Sequence, residues 1–129
     1  MSIFILANTG EASPAPFALL DRAHVERLGV SKAEFCRRTL LSEKTYERIR
    51  YGRIADRPRP ETVMQVCVGL GLPLPDAEGL FNAVGYHLGG CALHEAYRAL
   101  LAQGGLTVYG CDAALRSLGL PPLARWAEG

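Results

Sequence analysis

The chain has almost no net charge: its 129 residues carry 14 Lys and Arg against 13 Asp and Glu, formally +1. Attraction to a polyanion must therefore come from local clustering rather than composition. There is no run of about eighteen apolar residues, which a membrane-spanning helix needs. The apolar start, Ile3 to Ala7, is too short for a secretory signal and has no basic flank. The four cysteines, Cys36, Cys67, Cys91 and Cys111, form no CxxC pair. Without an export route they read as free thiols in a reducing, cytoplasmic setting. No Gly-rich loop follows a strand, no G-x-S-x-G elbow is present, and the carboxylates are scattered without a paired cleft, so an enzyme is not expected. His87, Cys91 and His94 can be drawn as a zinc set with Cys111. Gly89-Gly90 interrupts the helix that would align them, and no second tight pair exists, so no metal or other cofactor is expected. No small-molecule effector is evident.

What is present is a dense set of start signals and cations in Val30 to Gly52, VSKAEFCRRTLLSEKTYERIRYG. Ser31 and Glu34 spell a capping box, with Val30 and Phe35 at the staple positions around it. Ser42 is a second N-cap, Leu41 and Tyr46 a second staple, and Glu43 puts negative charge at the positive end of the following helix. Two starts so close together leave room for one short helix and a turn, which is helix-turn-helix spacing. Lys32, Arg37, Arg38, Lys44, Arg48, Arg50 and Arg53 fall in or just beyond this unit, opposed only by Glu34, Glu43 and Glu47. Such a local excess is a footprint for a polyanion.

These residues resemble the helix-turn-helix of the XRE or lambda-repressor-like family. Ser31-Lys32 stand at the start of the motif, Cys36 at its small-residue position, Leu40 at its turn and Ser42 at the cap of its recognition helix. Leu40 departs from the family pattern, because a turn residue with positive φ strongly prefers Gly or Asn. The resemblance runs from about Leu19 to Tyr86 and implies an all-α fold, a five-helix bundle, with double-stranded DNA as the partner. The helix from Ser42 to Tyr51 would enter the major groove. Lys44, Thr45 and Arg48 would face base edges, Lys32 and Ser42 would meet phosphates, and repression would follow from occupying a promoter.

The flanking chain fits that plan. Residues 1–14 form an apolar arm and turn without Lys or Arg. From Pro16 to Leu28, Phe17, Leu20, His24 and Leu28 share a stripe with helical period. RIADRPRP follows the basic unit, and its Arg53, Arg57 and Arg59 are candidates for phosphate contacts. A helix PETVMQVCVGL should start at Pro60, stop at Gly71 and bury Val63, Val66, Cys67 and Leu70. A fifth, DAEGLFNAVGY, should face Leu80, Phe81 and Val84 inward. Residues 15–88 are thus the expected DNA-binding domain, and 89–129 a two-helix extension that either packs on the bundle or makes a dimer. A homodimer is expected through Leu118, Leu123 and Trp126, so that removing residues 119–129 would leave a folded monomer. The rival reading is a protein-interaction or adaptor module on the same scaffold, because Glu43 and Glu47 on the supposed recognition face would repel phosphates.

Overall fold

A computed structural model describes residues 16–50 and 58–124. Among them are seven helices and no strand: α1 (Pro16–Leu28), α2 (Lys32–Thr39), α3 (Glu43–Arg50), α4 (Pro60–Leu70), α5 (Leu74–Ala83), α6 (Ala92–Gln103) and α7 (Val108–Ser117). The N-terminal arm, Arg53, Arg57 and Trp126 lie outside the described residues.

The helix boundaries follow local chemistry. Ser31 is extended and its hydroxyl accepts from the Glu34 N–H at 3.1 Å, starting α2. Glu34 does not complete the reciprocal box, because its carboxylate pairs with the Arg37 guanidinium. Ser42 caps α3 by accepting from the Thr45 N–H at 3.1 Å. Thr107 does the same for α7 through the Gly110 N–H at 3.0 Å. Pro60 opens α4, and Gly71 closes it in the left-handed region at φ 69°.

α4 is the hub of the fold. The expected stripe of Val63, Val66, Cys67 and Leu70 is buried, but so are Met64, Gln65, Val68 and Gly69. A helix buried around most of its circumference must be wrapped by neighbours. Here α1, α2, α5, α6 and α7 all pack on it. From Leu20 onward α1 corrects another expectation: Asp21 and Val25 are buried, while Leu20 and Leu28 are exposed, and the Phe17 side chain lies outside the described residues. A carboxylate on the buried face breaks the apolar count, so apolar spacing alone assigns the wrong phase.

The C-terminal extension packs on the bundle. Ala96, Tyr97, Leu101, Val108, Cys111 and Leu115 join the same continuous core as Phe35, Ile49 and Phe81. An ion pair between Arg98 and Glu78 ties α6 to α5. Beyond α7 the chain turns at Gly119, φ 74°. Leu118 stays exposed, whereas Leu123 is 2% exposed. The fully buried Asp112 carboxylate holds this return segment, accepting the Leu123 N–H at 2.6 Å and the Ala124 N–H at 3.3 Å. The expectation of Leu123 at a dimer surface is therefore corrected: its side chain belongs to its own protomer's core.

Asp21 is the contrasting buried carboxyl. It is 2% exposed, its Oδ1 has no hydrogen-bond partner among the described residues, and burial pushes its pKa from an ordinary 3.8 up to about 7. Because the folded pKa lies above the unfolded one, the native chain keeps a proton that the unfolded chain has released. Stability linked to this group is therefore lost as pH rises from about 4 to about 7, and is level above that. Urea midpoints of the Asp21→Asn variant are expected to fall less across this window than those of the wild-type chain. Parallel midpoint curves for the two proteins would refute this assignment.

Candidate nucleic-acid interface

The site is built from the turn outward. Leu40 sits between α2 and α3 at φ 63° and ψ 19°, and it is the non-glycine residue with positive φ among the described residues. The left-handed region costs a non-glycine residue about 1 kcal/mol. Its neighbours hold the conformation. The fully buried Thr39 hydroxyl donates to the Phe35 carbonyl at 2.8 Å and accepts the Leu41 N–H at 3.2 Å. From α4, the Gln65 side-chain amide donates to the Thr39 carbonyl at 3.0 Å. The Leu40 side chain packs against the core, and that burial offsets the strain. The turn thus adopts the geometry usually given to glycine, without one.

α3 is seated by its apolar face. Tyr46 meets Phe35 edge-on with ring centroids 5.0 Å apart, and Ile49 is fully buried. With those two inside, Lys44 and Arg48 are exposed and Thr45 is half-buried. These are the three residues expected at base edges: Lys44 and Arg48 lie together on the side away from the core, and Thr45 stands at its margin, one turn before the buried Ile49. Among the described residues, no carboxylate lies within 4.0 Å of Lys44 or Arg48.

The acidic residues of α3 are dealt with locally. Lys32, at the start of α2, places its Nζ 3.0 Å from Glu47 and 3.9 Å from Glu43. The hydrogen bond to Glu47, helped by the charges of Glu47 and Glu43, raises the Lys32 pKa. Lys32 was expected at a phosphate, but in the fold its ammonium is occupied in holding two carboxylates of the next helix. Spacing alone does not reveal this, because the pairing depends on the angle at which the turn sets α3 against α2.

The Ser42 hydroxyl, besides capping α3, donates to Thr45 Oγ1 at 3.0 Å, which fixes the orientation of the Thr45 side chain. Arg59 stands just before α4 with its Nε 3.5 Å from Glu61. It lines a cavity of about 320 Å³ together with Ser42, Leu40, Leu41 and Leu123. The expected phosphate ligands Ser42 and Arg59 are thus neighbours, although α3 and the loop separate them in sequence. Comparisons with family models, with curated proteins and with solved structures return no match. The chemistry of this surface accordingly follows from its own geometry. What it offers is a short, firmly seated helix with the exposed Lys44 and Arg48 cations on its outer side and the oriented Thr45 hydroxyl at their margin.

Proposed function

We propose that the chain is a sequence-specific DNA-binding regulator in which α2 and α3 form a helix-turn-helix, set in a lambda-repressor-like arrangement of α1 to α5. The observation that carries this reading is the sorting of charge on α3: among the described residues Lys44 and Arg48 meet no carboxylate, while Glu43 and Glu47 are held by Lys32. The same sorting weakens the case for an adaptor that has lost DNA contact, since the repelling charges are already answered. A helix of this size fits the major groove, where Arg and Lys donate to guanine O6 and N7 and a threonine can take either role. Arg59, with Arg53 and Arg57 of the same loop, would supply phosphate contacts that position the helix without reading sequence. Repression by promoter occupancy is the simplest mode. A homodimer would set two recognition helices about 34 Å apart on a twofold site. Of the surface expected for dimerisation, Leu118 remains exposed and is kept in this proposal with Trp126.

The deciding experiment is binding to random duplex DNA across a salt series, followed by selection of bound sequences from a random pool. Affinity should fall with salt with a log–log slope of about 0.9 per phosphate contacted. Absence of salt-dependent binding would overturn the proposal. Within it, Arg48→Ala is expected to cost about 1 to 3 kcal/mol on the selected site and to relax preference at one base position. Equal losses on all sequences, read by competition titration, would make Arg48 a phosphate contact instead.

A further inference from the structure

The C-terminal extension does more than complete the core. Where α7 begins, it faces the C-terminal end of α2 across a cavity of about 420 Å³, walled by Arg37, Arg38, Leu40, Leu106, Val108 and Tyr109. That volume lies within the range of roughly 300 to 1,000 Å³ typical of small-molecule pockets. Among the described residues, the lining contains two arginines and no Asp or Glu. Arg37 is answered by Glu34. Arg38 is half-buried, and among the described residues no carboxylate lies within 4.0 Å of it. Its Nη2 reaches over Gly71, where an added Cβ would stand 3.9 Å away. The other walls are mainly aliphatic, and the Tyr109 ring is 58% exposed beside them.

We infer that this cavity binds a small organic anion, a carboxylate or phosphate group joined to a flat apolar body. A half-buried arginine has lost part of its water, and among the described residues it meets no protein anion in exchange, so a ligand oxyanion taking two parallel N–H donors satisfies it. The aliphatic walls and the tyrosine ring suit a flat hydrocarbon, which gains from stacking and from leaving water. The inference does not rest on the proposed DNA binding. Its residues lie on α2, α4, α7 and the turns beside them rather than on the outward face of α3. Nor was it legible in the chain, because Arg38 and Tyr109 are far apart in sequence and meet only when α7 packs on α4.

The test is an amide NMR titration of the full chain with benzoate, phenyl phosphate and, as an uncharged control, benzamide. At least one of the two anions should give saturable shifts at Gly69, Gly71, Gly105 and Gly110 with Kd at or below about 1 mM. Which anion binds more tightly distinguishes a carboxylate site from a phosphate site. Benzamide should bind at least about tenfold more weakly, the scale of losing one charge-assisted contact. Arg38→Gln should remove that preference, and Tyr109→Ala should weaken both anions several-fold while keeping it. Failure of both anions to saturate, equal binding of benzamide, or undiminished anion binding by Arg38→Gln would overturn the inference. Should Arg38→Gln fail to fold, Tyr109→Ala decides alone, and unchanged affinity in that variant rejects the site.

Discussion

A chain ending at Leu118 is expected to be destabilised by at least about 4 kcal/mol, in contrast to the folded monomer expected from an extension that only dimerises. Two losses add. Leu123 is 2% exposed, and removing a fully buried leucine forfeits about 2 to 3 kcal/mol of apolar transfer. Asp112 is fully buried and would lose the Leu123 and Ala124 N–H donors, and hydrogen bonds to a charged group contribute about 1.5 to 3 kcal/mol each. Native domains have only about 5 to 15 kcal/mol in total, so the truncated chain should be largely unfolded well below the wild-type midpoint. Urea denaturation followed by far-UV circular dichroism reads this directly. A truncated chain with the wild-type midpoint would mean that the return segment is not part of the core.

Gly69→Ala is expected to cost about 3 kcal/mol, the upper end of the range for overpacked cores. The reason is where the new methyl group would go. A Cβ on Gly69 would stand 2.5 Å from Thr39 Cγ2 and 2.9 Å from both the Arg38 carbonyl oxygen and Thr39 Cα. Two of those three atoms are backbone and cannot turn aside, so α2 must move off α4. That shift would strain the Gln65 to Thr39 bond that supports the Leu40 turn. On the proposed DNA-binding reading, a loss of affinity beyond what the stability loss explains would accompany it. Thermal and urea midpoints check the first effect. A midpoint within about 0.5 kcal/mol of wild type, the range of an ordinary surface change, would show that the helices separate at little cost.

Much of the element plan is local and could be read from neighbouring residues. A cap joins a hydroxyl to an N–H three residues on, so Ser31, Ser42 and Thr107 mark helix starts whatever surrounds them. Pro60 and Gly71 bound α4 for equally local reasons. The outward face of α3 was legible for a related reason: Tyr46 and Ile49 define the inside, and helical geometry then places Lys44 and Arg48 on the other side, with Thr45 at the margin.

The rest depends on distances between elements, which no window of sequence contains. Apolar periodicity misplaced the buried face of α1 because Asp21 occupies it, and one stripe underestimated α4 because five helices surround it. Leu123 sits in the core because Asp112 pulls its backbone there, a contact made between segments that the turn after α7 brings together. The charge state of the candidate interface was likewise beyond the sequence: Lys32 meets Glu43 and Glu47 only through the crossing of α2 and α3, which the left-handed Leu40 sets. Sequence by itself determined where the helices start and stop and which way α3 faces, since those rest on bonds and periodicities a few residues long. Tertiary structure alone decided which polar groups are buried, which charges are cancelled and which cavity remains open, since each depends on how closely distant helices approach.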